Sequence, residues 1–229
     1  MSVKTEVSIP WQRIRAWLFD LDGTLMNTDD QAVENLAHRL RFLGRKRSRR
    51  LARRVVMLGE SPLNDLITLL DKLGLDPLFF ALIHRISRGI PLFPIIEGAA
   101  PLLAYLAGRA SIGIVTTRSR VAAEAFLHQH ELADLISVLV TQTTTRRLKP
   151  HPEPVLVAAE RLGVAPEACV VVGDTPGDLR AARQAGAWAV GVPCGFGKAE
   201  ELRRVGAHLI VDSTADLLPL LEAELESES

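Results

Sequence analysis

The fold can be inferred outward from Ala16-Trp17-Leu18-Phe19-Asp20-Leu21-Asp22-Gly23-Thr24. Residues 16–19 are apolar without polar alternation, which is typical of a parallel strand buried on both faces. Asp20 and Asp22 follow where this strand ends, and Gly23 permits a tight turn. Open α/β sheets bind ligands at the carboxyl ends of their strands, so we expect both carboxylates to reach one pocket. The alternative is an ordinary turn in which Asp and Gly serve only the local backbone.

Five further apolar runs follow along the chain, separated by segments with helical periodicity. One helix is bounded by Thr175 at the N-cap, Pro176 at the first helical position and Gly186 at its end. Alternation of strands and helices predicts an α/β fold with a doubly wound parallel sheet. The predicted strands are Ala16–Phe19, Ile112–Val115, Val138–Val140, Cys169–Val172, Trp188–Val192 and Leu209–Val211.

The segment from residue 27 to residue 94 interrupts this alternation. Its apolar residues recur at helical spacing, and glycines and prolines separate the helical stretches. We therefore predict an α/β core domain of residues 1–26 and 95–229, with a small all-helical cap domain of residues 27–94 inserted after the first strand.

The composition is that of an ordinary globular protein. Lys plus Arg and Asp plus Glu both number 27 among 229 residues, so net charge gives no reason to expect a nucleic-acid partner. The N-terminus lacks the apolar run of a signal peptide, and no apolar stretch is long enough to span a bilayer. Cys169 and Cys194 are too few for a disulfide framework. We expect a cytoplasmic protein that does not engage a membrane; the oligomeric state is left open.

A second carboxylate pair, Asp174 and Asp178, follows the predicted strand Cys169–Val172. Asp178 falls at the third position of the next helix, where capping that helix is an alternative or additional role. Thr116 follows another strand, and Lys149 lies in a loop before a helix. Phosphoryl transfer needs a nucleophile, a metal ion, hydrogen-bond donors for the phosphoryl oxygens and a cation. The carboxylates, the hydroxyl and the lysine can supply the nucleophile, the metal ligands, the donors and the cation.

This set of motifs resembles the haloacid dehalogenase (HAD) superfamily, in its phosphoglycolate phosphatase-like branch. The four motifs of that superfamily occur in order as Asp20-Leu21-Asp22-Gly23-Thr24, Thr116, Lys149, and Gly173-Asp174 through Asp178. The predicted helical insertion matches the superfamily's C1 cap. One departure is Gly177, where the phosphatase branch often has Asn.

The resemblance implies a Mg²⁺-dependent phosphatase acting on a small-molecule phosphate monoester. It implies that Asp20 attacks phosphorus to form an aspartyl-phosphate, and that Asp22 protonates the leaving oxygen and then activates water. Mg²⁺ would be held by the Asp20 carboxylate, the Asp22 backbone carbonyl and Asp174, with support from Asp178. This hard, all-oxygen set suits Mg²⁺.

The resemblance also implies which residues bind the substrate. Thr116, Thr117 and Lys149 would hold the phosphoryl group, and Lys149 would offset the charge on Asp20. The family places substrate-selecting residues on a cap loop, here next to Gly59, so Glu60 and Ser61 are candidate contacts.

A dense basic cluster lies in the predicted cap. Nine of the 27 basic residues fall within Arg39–Arg54, where there is no acidic residue. This cluster is either a surface that selects an anionic substrate or a solvated basic helix pair.

Three functions are compatible with the sequence. A phosphatase is favoured because HAD dehalogenases lack the second Asp of the first motif, whereas this chain keeps Asp22; 2-phosphoglycolate is a candidate substrate. A phosphosugar mutase of the same family is the first alternative, and the absence of a basic residue directly after Gly59 disfavours it. A noncatalytic HAD-like binding module is the second, disfavoured by the intact motifs.

Overall fold

The computed structural model describes residues 9–27, 94–193 and 197–226. The chain divides into two compact units, Met1–Met26 with Ile95–Ser229, and Asn27–Pro94. The basic cluster Arg39–Arg54, Glu60 and Ser61 lie outside the described residues, as does the predicted cap except for its two ends. The helical nature of the cap therefore stays a prediction.

Six parallel strands in the described residues form one sheet in the order β3-β2-β1-β4-β5-β6. Every predicted strand is present, with ends within one residue of those expected. This sheet confirms the predicted parallel α/β architecture. The strands are β1 (Ala16–Phe19), β2 (Ser111–Val115), β3 (Val138–Val140), β4 (Cys169–Gly173), β5 (Trp188–Gly191) and β6 (Leu209–Ile210).

Helices follow the strands along the chain, as the sequence pattern predicts. Their bounds are α1 (Ala99–Ala107), α2 (Arg120–Gln129), α3 (Glu153–Leu162), α4 (Pro176–Ala185), α5 (Ala199–Arg204) and α6 (Leu217–Glu226). The predicted signals at α4 are confirmed: Thr175 is the N-cap and its side chain accepts a hydrogen bond from the Asp178 amide, while Gly186 ends the helix at φ 84°. Among the described residues, no helix combines the length and the apolar character that a membrane span requires.

The first strand lies at the centre of the core. All four residues of β1 are buried, and β1 pairs with β2 on one side and β4 on the other. Phe19 stands opposite both Ile114 and Val172, so the chain leaves all three strands at about the same level. This register brings the residues after β1, β2 and β4 to one edge of the sheet.

Gly113 lets β2 pack closely against its neighbours. A Cβ atom at this position would lie 2.6 Å from Val138 Cγ1 and 2.7 Å from Leu18 Cδ2. At Gly108, which follows α1 and is exposed, an added Cβ would meet no atom within 4 Å. The two glycines therefore form a matched pair for testing the packing of the sheet.

We expect Gly113→Ala to lower the free energy of unfolding by about 1–3 kcal/mol, because the core must shift to admit the methyl group. Gly108→Ala should change it by no more than about 0.5 kcal/mol. Urea denaturation of both variants measures the difference. Equal stability of the two variants would contradict the packing described here.

Candidate active site

Three buried carboxylates meet at the carboxyl edge of the sheet. One oxygen from each of Asp20, Asp174 and Asp178 can be chosen so that all three lie within 4.8 Å of one another. Asp20 directly follows β1, and its amide donates to the Val172 carbonyl at 3.0 Å. Asp174 follows β4, and Asp178 lies in the first turn of α4. The structure thus brings together three of the predicted site residues that are far apart in sequence.

Lys149 contacts two of these carboxylates. Its Nζ donates to Asp20 Oδ1 at 2.6 Å and to the Val115 carbonyl at 2.8 Å, and it lies 2.5 Å from Asp178 Oδ1. Only 8% of the Lys149 side chain is exposed. Because the ammonium is buried among its partners, its charge is weakly screened and acts directly on both carboxylates.

The electrostatic environment shifts the pKa values of both members of the central pair. Burial raises the pKa of Asp20 to about 7; Lys149 opposes this rise, while the charges of Asp178 and Asp22 add to it. Burial acts to lower the pKa of Lys149, but the charges of Asp178 and Asp20 outweigh it and raise this pKa. Lys149 therefore stays charged at neutral pH, while Asp20 is poised near its titration point.

The two carboxylate oxygens of Asp178 have different partners, one at the start of α4 and one in the acidic group. Its Oδ2 accepts hydrogen bonds from the Thr175 amide at 3.0 Å and the Thr175 hydroxyl at 2.5 Å, which completes a capping box. Its Oδ1 faces Lys149. Gly173 makes this position possible, since a Cβ there would overlap the Asp178 side chain. The two roles considered for Asp178 are thus compatible in one side chain.

The donor set fits a hard divalent cation. The Asp20, Asp174 and Asp178 carboxylates are all buried, and one ammonium compensates only one of their three negative charges when they are ionised. Clustered buried carboxylates need a further cation or a proton. Carboxylate oxygens are the ligands that Mg²⁺ prefers. The Asp22 carboxylate is not part of this group, and the predicted part of its backbone carbonyl in metal binding stays a prediction.

Thr116 and Thr117 follow β2 on the same edge. Thr116 is buried, its amide donates to the Val140 carbonyl at 2.9 Å, and its hydroxyl accepts from the Arg118 amide at 3.1 Å. Thr117 is exposed. Thr116 is thus fixed by the local backbone, whereas Thr117 is open to solvent.

Arg118 is a site residue that the sequence motifs did not indicate. Its Nε donates to Asp22 Oδ2 at 2.6 Å, and its Nη2 donates to Asp22 Oδ1 at 2.5 Å. The two side chains are 12% and 19% exposed. A basic residue two positions after Thr116, in the loop that follows a central strand, is the only sequence signal for this contact.

Gly197 is a second residue that the motifs did not reveal. A Cβ at this position would overlap the Asp174 carbonyl oxygen. Any side chain here would displace the backbone that carries Asp174. A single glycine in a loop carries no sequence signal for such a contact.

Parallel α/β proteins usually bind their ligands at the carboxyl edge of the sheet. The clustered carboxylates of this α/β protein lie at that edge. The sequence model for haloacid dehalogenase-like hydrolases matches residues 14–186. The chain belongs to this family, which confirms the resemblance inferred from the four motifs and the prediction of a hydrolase.

Two relatives cover almost the whole chain. The phosphoglycolate phosphatase of Salmonella typhimurium (strain LT2) is 31% identical over 92% of this chain and 93% of that protein. The phosphoglycolate phosphatase of Escherichia coli (strain K12) is 30% identical over 92% and 94%.

Solved structures share the fold at lower identity. A predicted phosphoglycolate phosphatase from Haemophilus somnus has a TM-score of 0.61 and 18% identity, covering 91% of this chain and 98% of that one. A Thermotoga maritima protein provisionally described as a beta-phosphoglucomutase has a TM-score of 0.63 and 22% identity, covering 91% and 99%. At these identities the likeness establishes the fold alone.

The raised pKa of Asp20 predicts a pH-dependent stability in the metal-free protein. Between the ordinary value of 3.8 and about 7, the folded state keeps a proton on Asp20 that the unfolded state has released. The contribution of Asp20 to stability is therefore fully present below 3.8 and is lost as pH rises through 7. We expect the wild-type protein in EDTA to lose more stability between pH 5 and pH 8 than Asp20→Asn does.

Urea denaturation at several pH values in EDTA measures this difference. Asp134→Asn is the control, because Asp134 is exposed and lies outside the acidic group. It should follow the wild-type pH dependence. An Asp20→Asn curve as steep as that of the wild type would contradict the shift.

Proposed function

We propose that the chain is a Mg²⁺-dependent phosphatase that hydrolyses a small-molecule phosphate monoester through an aspartyl-phosphate on Asp20, with 2-phosphoglycolate as the first candidate substrate. The observation that carries this proposal is the placement of Asp20. It lies buried at the carboxyl end of the central strand, against the Lys149 ammonium and within the acidic group. Relatives named phosphoglycolate phosphatase, 30–31% identical over 92% of the chain, support the reaction class and the candidate substrate.

The proposed reaction has two steps that share one acid–base residue. In the first, an Asp20 oxygen bonds to phosphorus, the bond between phosphorus and the alcohol oxygen breaks, and Asp22 gives its proton to that oxygen. In the second, a water oxygen bonds to phosphorus, Asp22 takes the water proton, and the bond between phosphorus and Asp20 breaks. Alcohol and inorganic phosphate are released, and Asp22 ends protonated as it began.

The cationic and hydroxyl side chains would stabilise the phosphoryl group during both steps. Lys149 is held between Asp20 and Asp178, and it would favour the ionised form of the nucleophile and orient it while contacting a phosphoryl oxygen. Thr116 and Thr117, after β2, would donate hydroxyl hydrogen bonds to the remaining oxygens. Glu60 and Ser61 stay predicted substrate contacts.

Asp20, Asp174 and Asp178, together with the Asp22 carbonyl, would hold Mg²⁺. When bound, the ion would offset the negative charge of the carboxylates and of the phosphoryl oxygens. The buried, all-oxygen donor set supports this assignment.

We expect Asp20→Asn to lower phosphatase activity by about 10³-fold or more, because it removes the nucleophile. The measurement is phosphate release from a panel of small esters, including 2-phosphoglycolate and sugar phosphates, with Mg²⁺ and with EDTA. EDTA should abolish wild-type activity. Turnover that survives in folded Asp20→Asn, or in EDTA, would contradict the proposed mechanism. Conversion of one sugar phosphate into another without phosphate release would indicate a mutase.

Asp174→Asn should raise the Mg²⁺ concentration needed for half-maximal activity by at least about 10-fold, because it removes a charged ligand. A Mg²⁺ titration of the melting temperature gives a second readout that does not depend on turnover. Asp134→Asn serves as the control and should titrate like the wild type. Unchanged Mg²⁺ dependence of Asp174→Asn would place the ion elsewhere.

A further inference from the structure

We propose that Glu153 is a positioning residue that closes the loop carrying Lys149, so that the Lys149 ammonium stays in place while bonds change at Asp20. This inference rests on the proposed function, because Lys149 acts there on the nucleophile and on the phosphoryl group. Glu153 lies outside the four motifs, at the first residue of α3.

Lys149 lies in the loop between β3 and α3, where packing gives the backbone little support. The three residues before it and the one after it are exposed: Arg146, Arg147, Leu148 and Pro150. The Lys149 side chain, in contrast, is only 8% exposed. A flexible four-carbon stem joins this loop to the buried ammonium. Exposed loops open easily, so hydrogen bonds rather than packing must fix the backbone here.

The Glu153 carboxylate binds the chain ahead of Lys149 with both of its oxygens. Oε1 accepts from the Arg146 amide at 3.0 Å, and Oε2 accepts from the Arg147 amide at 3.2 Å. Bonds to an ionised acceptor are stronger than those between neutral groups. Because Glu153 begins α3, and α3 buries one face in the core, these bonds tie the exposed segment to a fixed element. Lys149 therefore lies inside a closed loop of chain from residue 147 to residue 153.

Further contacts cross the same loop. The Glu153 amide donates to His151 Nδ1 at 3.1 Å, and Arg147 Nη1 lies 3.0 Å from His151 Nε2. The His151 amide donates to the Leu148 carbonyl at 2.9 Å, which forms a turn around Lys149. Glu153 binds two consecutive backbone amides with a charged group, so its loss should loosen the loop.

The proposed reaction explains why a fixed backbone is useful at this position. The ammonium contacts Asp20, Asp178 and the Val115 carbonyl. When an Asp20 oxygen bonds to phosphorus, the charge on one of these partners is lost. Lys149 must then contact the phosphoryl oxygens without moving away, and a closed loop limits that movement. Misplacement of a catalytic group by about 1 Å can cost about 10²-fold in rate.

The opposing hypothesis is that Glu153 only stabilises the start of α3, where the helix dipole favours a carboxylate. Glu200 provides a matched control, because it lies in the first turn of a different helix, α5, and is exposed. It pairs with Arg204 at 2.5 Å. A general effect of charge at a helix start would appear in both variants, whereas loosening of the Lys149 loop would appear in one.

The kinetic test places Glu153→Gln in the wild type and in Lys149→Ala. The substitution keeps the size of the side chain but turns one acceptor into an N–H donor that faces an amide. We expect it to lower the kcat/KM of the wild type by about 10-fold or more. In Lys149→Ala it should change kcat/KM by no more than about 2-fold, because its effect acts through Lys149. Glu200→Gln should leave the wild-type rate unchanged.

The Lys149 ammonium also gives a readout that needs no turnover. The chain has five lysines, so ¹⁵N-labelled lysine gives few ammonium signals, and Lys149→Ala identifies the signal of Lys149. Lys198, whose side chain is 80% exposed, is the reference for a solvated ammonium. In the metal-free protein, Glu153→Gln should speed the exchange of the Lys149 ammonium protons with water by about 10-fold or more. Glu200→Gln should not change it.

Faster exchange at Lys149, together with a rate loss confined to the chain that keeps Lys149, supports the inference. An unchanged rate in the wild-type background, equal rate losses in both backgrounds, or exchange that Glu153→Gln leaves unchanged, overturns it. Absence of Asp20-dependent turnover on any ester would instead refute the proposed function, and the exchange measurement would then decide whether Glu153 holds the loop.

Discussion

The burial of three carboxylates beside one lysine is the constraint on which the site depends. Taking charged groups out of water is costly unless opposite charges and hydrogen bonds compensate them. The Lys149 ammonium contacts Asp20, Asp178 and the Val115 carbonyl. Its single positive charge offsets part of the negative charge of the carboxylates. A divalent cation bound as proposed would offset more of the negative charge of this group. In the proposed Mg²⁺ site, the cost of burying these charges would be the counterpart of a site preorganised to bind positive charge.

The sheet makes this concentration of charge possible. Because Phe19 stands level with Ile114 and Val172, the segments after three neighbouring strands leave the sheet together. Close packing then fixes their positions. At Gly173 the absence of a side chain leaves room for the Asp178 carboxylate, and at Gly197 it leaves room for the carbonyl of Asp174. The acidic side chains are thus held by backbone contacts rather than by flexible loops, as precise catalytic geometry requires.

The sequence predicted the strands and the acidic group for a physical reason. A strand buried on both faces is continuously apolar, so its ends can be read within one residue, and parallel strands bring their carboxyl ends to one edge. Arg118 could not be predicted in this way. Its contact with Asp22 joins positions 96 residues apart and depends on the path of the loop after Thr116, which no periodicity encodes. The prediction that Glu60 and Ser61 contact the substrate rests on the family resemblance alone.

Two aspartates separated by one residue lie in different environments, and this difference supports different chemical roles. Asp20 is buried and faces an ammonium that it shares with Asp178. Asp22 lies nearer to solvent, where a guanidinium binds both of its oxygens and fixes the plane of the carboxylate. A nucleophile needs one exposed lone pair in a low-dielectric pocket, whereas an acid–base residue must orient a proton toward a departing oxygen. The lysine beside Asp20 and the arginine beside Asp22 would serve the nucleophile and acid–base roles proposed for these two residues.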